Sequence, residues 1–183
     1  MKRDELARMI DHTMLKPEAT PVEIEQLCEE ALRHRFASVC INPAYVPLAA
    51  ARLGDSQVAV CTVVGFPLGA TTTTAKVCEA EQALDDGATE LDMVLSIGAL
   101  KAGERDRVEE DIAAVATACH DGGGLLKVII ETALLRDEEK VLACEIAQDA
   151  GADFVKTSTG FATSVAKVEK VRQMREPVAP RIG

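Results

Sequence analysis

The sequence predicts an α/β protein in which parallel β-strands are covered by helices, and three observations lead there. Short β-branched runs at Phe36–Asn42, Gln57–Val64, Glu90–Leu95, Leu125–Glu131 and Asp153–Thr157 alternate with amphipathic helical patterns. Those runs are continuously apolar more than alternating, the pattern of strands buried on both faces. The 183 residues are 48% apolar but only 3% aromatic, an Ala/Val/Leu/Ile composition suited to strands packed under helices. That length is enough to bury one sizeable core, and nothing along it marks a linker or low-complexity boundary, so residues 1–183 read as one domain.

Each helix has a local reason. The patterns fall at Pro21–His34, Tyr45–Leu53, Thr72–Asp86, Glu104–His120, Asp137–Ala150 and Val165–Arg175. Thr20-Pro21 reads as an N-cap followed by proline at the first helical position, and Glu23 completes a capping box. The threonines at Thr71–Thr74 read as capping residues. Gly87 and Gly151 stand where helices should stop, each just ahead of a strand. Gly122-Gly123-Gly124 precedes a strand and reads as a turn or cap at the end opposite the strands' carboxyl ends. Strand-helix-strand spacing of this kind requires parallel pairing with right-handed crossovers. An open doubly wound sheet and a closed (β/α)₈ barrel both satisfy it. No G-x-G-x-x-G follows the first strand, which weakens the dinucleotide-binding open sheet. Charged residues inside the strands favour the barrel.

Composition also narrows function. With 20 basic and 30 acidic residues the net charge is −10, which argues against nucleic acid or an anionic membrane as partner. The six cysteines, Cys28, Cys40, Cys61, Cys78, Cys119 and Cys144, include no C-x-x-C pair and no Cys/His cluster at metal-ligand spacing. They read as buried apolar thiols in a reducing compartment, with neither a disulfide scaffold nor a structural zinc site. The charged start Met1-Lys2-Arg3-Asp4-Glu5 lacks the apolar run of a signal peptide, and no segment approaches the ~20 apolar residues of a membrane span. The expected location is the cytoplasm.

A charge in a doubly buried strand is costly unless paired or used. Asp92, Lys127 and Lys156 lie on the strand runs. With side chains alternating, Asp92 shares a face with Val94, and Lys127 with Ile129 and Glu131. If that face is a barrel interior, one acid and two lysines converge. A lysine whose pKa is lowered by burial and a neighbouring cation attacks carbonyls, and a nearby carboxylate can shuttle protons as the imine forms. That is Schiff-base aldol chemistry. Plainer readings stand beside it: a strand-end lysine in solvent, Asp92 as an acceptor for backbone amides, Cys40 as a buried thiol, and His12 as structural. Glu131 could orient Lys127 or accept from a neighbouring loop. Gly65-Phe66-Pro67-Leu68-Gly69 and Thr157-Ser158-Thr159-Gly160 both follow strands, at the end where barrel active sites lie. The second offers hydroxyls and a glycine amide to a phosphate or polyol.

Six segments together resemble the deoxyribose-phosphate aldolase family, in its order and spacing. They are Asp11-His12-Thr13-Met14-Leu15-Lys16-Pro17, Cys40-Ile41-Asn42-Pro43, Val63-Val64-Gly65-Phe66-Pro67-Leu68-Gly69, Glu90-Leu91-Asp92-Met93-Val94, Leu126-Lys127-Val128-Ile129-Ile130-Glu131-Thr132 and Phe154-Val155-Lys156-Thr157-Ser158-Thr159-Gly160-Phe161. The resemblance implies a (β/α)₈ (TIM) barrel architecture and a class I, metal-independent aldolase that needs no cofactor. It would interconvert 2-deoxy-D-ribose 5-phosphate with acetaldehyde and glyceraldehyde 3-phosphate. By the same resemblance Lys156 is the Schiff-base lysine, Asp92 the proton-relaying carboxylate and Lys127 the neighbouring strand lysine. Asp11 and Thr13 belong to a short first strand that adds polar groups to the site. Cys40 lines the pocket, and Thr159 and Gly160 lie near the substrate's phosphate. The expected partners are the small phosphorylated sugar and further copies of the chain, as a dimer or tetramer.

Three departures temper the carry-over. Gly160-Phe161 is followed by Ala162-Thr163-Ser164-Val165-Ala166-Lys167 where the family has a Gly-Gly loop, and Glu131-Thr132 by Ala133 where it has glycine. After Pro180-Arg181-Ile182-Gly183 the family continues into a seventh strand with a second active-site lysine and then an eighth. About six of the eight βα units are therefore expected here. Six strands cannot close at normal tilt and stagger, so either the open edges belong to a longer chain, a partner covers them, or the sheet rearranges. The expected consequence is much slower turnover and weaker phosphate affinity. A catalytically impaired barrel that binds a ligand or partner without turnover is the alternative function.

Overall fold

A computed structural model describes residues 1–162, 168–178 and 182–183. The elements run α1 (Arg3–Ala7), β1 (Asp11–Met14), α2 (Pro21–His34), β2 (Ser38–Ile41), α3 (Val46–Leu53), β3 (Ala59–Val64), α4 (Thr73–Asp85), β4 (Glu90–Val94), α5 (Ile97–Lys101), α6 (Arg105–Asp121), β5 (Leu125–Ile129), α7 (Asp137–Asp149), β6 (Phe154–Lys156) and α8 (Val168–Val178). Six strands form one wholly parallel sheet in chain order, β1 to β6. The sheet has not rearranged: this is six units of a (β/α)₈-type barrel. The expected helix start at Val165, and most of the Ala162–Lys167 loop, lie outside the described residues.

Alternation along the strands separates two interiors. Val39, Ile41, Val60, Val64, Leu91, Met93, Leu126, Val128 and Ile130 pack outward against Ile24 and Leu27 of α2, Ala49 of α3, Ile112 and Val115 of α6, and Ile146 of α7. Cys40, Cys61 and Val63 point the other way and form a separate small cluster with Leu15 and Phe66. The remaining inward positions are largely charged. The helices cover only the outer face, so the inner face of the arc is where polar groups can gather. Its two ends approach each other: Lys156 Nζ on β6 lies 3.2 Å from Asp11 Oδ2 on β1. Gly183 pairs with β6, donating to the Asp153 carbonyl at 2.9 Å and accepting from Val155 N at 3.2 Å.

The capping signals hold locally. Glu23 N donates to Thr20 Oγ1 at 3.4 Å while Thr20 N donates to Glu23 Oε2 at 2.8 Å. Thr20→Ala should therefore cost about 1 kcal/mol in a urea titration, the usual worth of an N-cap. Thr72 caps α4 by accepting from Ala75 N, and Gly87 and Gly151 take positive φ just after helices. The short α1 and α5 have no counterpart in the sequence reading, because five residues carry too little period to register.

Candidate active site

In-register pairing sets the central layer. Asp92 on β4 stands beside Lys127 on β5, Ile129 beside Lys156 on β6, and Cys40 on β2 beside Cys61 on β3. All the polar members face the lumen. Asp92 is 1% exposed, yet both its oxygens are used. Lys127 Nζ donates to Oδ1 at 2.9 Å, Lys156 Nζ donates to Oδ2, and the Cys40 thiol lies 3.9 Å from Oδ2. Lys127 Nζ also reaches Glu90 Oε2 at 2.6 Å, Asp11 Oδ2 at 3.6 Å and Cys61 Sγ at 3.3 Å. Asp11 Oδ1 accepts from the Ser38 hydroxyl at 2.8 Å, and Thr13 Oγ1 donates to the Asp11 carbonyl at 2.9 Å. Three carboxylates thus enclose two ammonium groups, and charge-assisted hydrogen bonds offset the cost of burying them.

The protonation states follow from this packing. Burial works to lower Lys156, but the charge and hydrogen bond of Asp92, helped by Cys40, outweigh it and the opposing charge of Lys127, so its pKa is raised. The expected depression by a neighbouring cation is thus reversed in this arrangement, because the carboxylate is nearer than the second ammonium. Lys127 is likewise raised: burial pulls down, while Cys61, Asp92, Glu90 and Asp11 together pull up harder. For Asp11, burial pushes up but Lys127, Lys156 and the Ser38 hydroxyl bring the carboxyl below its usual value. A hydrogen bond with the Cys40 thiol and burial hold the free Cys61 thiol well above an ordinary one.

Access distinguishes the two lysines. A cavity of about 320 Å³ opens at the carboxyl ends of the strands, lined by Thr13, Cys40, Phe66, Asp92, Lys156, Ser158, Thr159 and Gly160. The Lys156 side chain is 31% exposed there, whereas that of Lys127 is 9% exposed and lies outside the lining. A larger depression of about 670 Å³ beside α1 and the end of α2 contains none of the charged strand groups.

Two loops shape the mouth. Gly69 adopts φ 65°, and a Cβ there would sit 2.0 Å from the Leu95 carbonyl oxygen, so only glycine lets this loop close onto the end of β4. Gly65 N donates to Glu79 Oε2 at 2.7 Å, and Phe66 meets Phe161 edge-on with centroids 5.5 Å apart. Behind this loop Lys76 is fully buried. Its Nζ donates to Asp111 Oδ2 at 2.5 Å and to the Val94 carbonyl at 2.9 Å, while Thr73 Oγ1 donates to Asp111 Oδ1 at 2.8 Å. In the second loop, Glu131 takes the second of its two anticipated roles. Its Oε2 accepts from Thr159 N at 3.0 Å and from Thr159 Oγ1 at 2.6 Å. Thr159 therefore commits its hydroxyl and amide to holding the loop, leaving Ser158 Oγ buried without a hydrogen-bond partner among the described residues, and Gly160 at φ 87° on the rim.

The structure gathers Asp11, Thr13, Cys40, Asp92, Lys127 and Lys156 at one place. His12 lies apart from them, 2.8 Å from Glu30 and with its ring tilted at 48° against that of Phe36, which is a structural role. Sequence reasoning passed over Glu90, although its i, i+2 relation to Asp92 puts both on one face. It also passed over Cys61, which no linear spacing ties to Cys40. The Sγ atoms of both cysteines and a carboxylate oxygen of Asp92 all lie within 4.8 Å of one another, so the absence of metal-ligand spacing along the chain does not carry over to space. Lys76 and Asp111 sit on separate helices 35 residues apart, with no sequence signal.

Among the described residues no helix is long and apolar enough to cross a membrane. A family profile for DeoC/LacD family aldolases matches residues 6–180. The chain is 58% identical over 179 residues to the deoxyribose-phosphate aldolase of Enterococcus faecalis, covering 98% of this chain and 81% of that one. It is 57% identical over 183 residues to that of Clostridium perfringens, again covering 81% of the relative. The tetrameric deoxyribose phosphate aldolase of Aeropyrum pernix superposes with a TM-score of 0.92 at 31% identity, covering 100% of this chain and 76% of that one. With its strand order, inward-facing lysines and near-complete match, the chain belongs to the DeoC/LacD aldolase family.

Proposed function

We propose that this site reversibly cleaves 2-deoxy-D-ribose 5-phosphate to acetaldehyde and D-glyceraldehyde 3-phosphate through a Schiff base on Lys156. One observation carries the reading: the Lys156 amine lines the cavity on the buried Asp92 carboxylate, with the Lys127 ammonium on that carboxylate's other oxygen. Family membership and the names of the relatives support the choice of substrate.

The chemistry starts with a proton transfer. Lys156 passes its proton to Asp92, and the free amine attacks the C1 carbonyl to give a carbinolamine. Asp92 returns that proton to the departing carbinolamine hydroxyl, and the loss of water produces an iminium, an electron sink for the neighbouring C2–C3 bond, with Asp92 again a carboxylate. Asp92, directly or through a water, removes the C3 hydroxyl proton. The C2–C3 bond breaks, glyceraldehyde 3-phosphate leaves, and an enamine remains on Lys156. Protonation at C2 and hydrolysis release acetaldehyde and restore the amine. Lys127 is the fixed cation that favours the neutral amine once Asp92 has accepted a proton. Thr13 and Cys40 bound the sugar, Asp11 steadies both lysines, and the phosphate lies toward Ser158 and Gly160 on the loop that Thr159 anchors. No cofactor enters this scheme. We place the enzyme in the cytoplasm as one βα domain acting within a homo-oligomer, a reading supported by the acidic charge, the free cysteines and the tetrameric relative.

Borohydride reduction in the presence of acetaldehyde tests the reading. A stable adduct should map to the peptide carrying Lys156. An adduct confined to Lys127 would reverse the assignment, and none at all would refute the aldolase. Asp92→Asn should slow turnover by roughly 10²-fold or more. It should also move the pH profile of adduct formation downward, since losing the carboxylate removes the charge that holds the proton on Lys156. An unshifted profile would remove Asp92 from control of that proton.

A further inference from the structure

We propose that Cys40, Cys61 and Asp92 form a binding site for a thiophilic divalent cation such as Zn²⁺ or Cd²⁺, and that its occupation shuts the catalytic centre down. Inhibition rests on the aldolase reading above; binding does not. The two sulfurs and a carboxylate oxygen lie within 4.8 Å of one another, and this is the one such grouping found among the described residues. A tetrahedral zinc with sulfur at about 2.3 Å and oxygen at about 2.0 Å spaces its ligands roughly 3.5–3.8 Å apart. The Cys40 Sγ to Asp92 Oδ2 separation of 3.9 Å already approaches that spacing. Closing the rest takes a movement of about 1 Å, within reach of side chains on adjacent strands in register.

The surroundings support a cation at this point. The Lys127 ammonium sits 3.3 Å from Cys61 Sγ and 2.9 Å from Asp92 Oδ1, so a positive charge already occupies the sulfur and oxygen donors. When a divalent cation binds, both thiol protons leave, and the net charge of the cluster is unchanged. Releasing Asp92 strands neither lysine: Lys127 keeps Glu90 at 2.6 Å and Asp11 at 3.6 Å, and Lys156 keeps Asp11 at 3.2 Å. Cys40 and Asp92 line the cavity, which gives the ion its access and a water to complete coordination. The soft donor pair selects zinc or cadmium over magnesium. The other thiols compete poorly because, among the described residues, none of them belongs to a grouping of three such donors; Cys78 is also exposed. With Asp92 coordinated, its carboxylate no longer takes the Lys156 proton, and imine formation stops.

Titrating the reduced, chelator-free chain with Cd²⁺ should raise a thiolate-to-cadmium charge-transfer band that saturates at one ion per chain. Cys40→Ser and Cys61→Ser should each weaken it at least about tenfold, while Cys78→Ser should leave it intact. Should the serine variants fail to fold, cadmium NMR on the unaltered protein counts the sulfur ligands directly; two are expected, and one or none overturns the site. A band lost in Cys78→Ser also overturns it. Borohydride trapping with acetaldehyde should fall about tenfold or more at saturation, recover with EDTA, and ignore Mg²⁺. A two-sulfur band with undiminished trapping overturns the inhibition, whereas a chain that traps nothing before cadmium is added overturns the aldolase reading and leaves the band to test the site.

Discussion

Lys156→Met should abolish the borohydride-stable adduct and lower retro-aldol turnover by about 10⁴-fold or more, the scale on which enzymes lose a covalent nucleophile. The substitution keeps an unbranched stem of similar length, so the lumen beside Ile129 and Phe66 remains filled. It leaves Asp92 with Lys127 on one oxygen and the Cys40 thiol near the other, and Asp11 with Lys127 and Ser38. The fold should therefore survive, and a circular dichroism melt alongside the assay separates lost chemistry from lost structure. Residual activity within tenfold of the parent would assign the imine to another amine. Lys127→Met is the informative comparison. It removes the cation but leaves the amine in place, so adduct should still form, more slowly, on Lys156.

Lys76→Met should produce the largest loss of stability. Lys76 is fully buried, and its partner Asp111 would keep only the Thr73 hydroxyl. Removing one member of a buried pair strands an uncompensated charge, at a cost of about 3–5 kcal/mol. For a chain of this size that corresponds to a fall in melting temperature of about 6–20 °C. The double substitution Lys76→Met with Asp111→Leu should recover much of the loss, because neither charge then remains to be desolvated. A single substitution costing under about 1 kcal/mol would mean that water reaches Asp111. The pair joins α4 and α6 to the end of β4, two residues beyond Asp92, and the lysine stem passes under Gly65. Partial unfolding there would reach the catalytic carboxylate and the Phe66 loop together.

Local signals account for much of what was legible. The helix Pro21–His34 was readable to the residue because Thr20, Pro21 and Glu23 make a start signal that depends on no distant contact. The strands were readable because a segment buried on both faces must be apolar almost throughout, and the exceptions at Asp92, Lys127 and Lys156 marked the inner face. Parallel order followed from connection length. Six motifs in register pointed to the family.

Tertiary structure alone decided what depends on distance across the sheet. Whether Lys156 carries a lowered or a raised pKa turns on Asp92 being closer than Lys127, and strand stagger sets that order, not residue type. Glu131 could have served Lys127 or the Thr157–Gly160 loop; its left-handed backbone, φ 49°, accompanies the second choice. Cys40 and Cys61 became neighbours only when β2 and β3 paired, and Lys76 found Asp111 only when α4 packed on α6. The sequence alone determined which groups are available and which face of each strand they share, because those follow from covalent order and side-chain alternation. The partner each group took was set by the arc's curvature and register, which arise from packing the whole sheet against its helices.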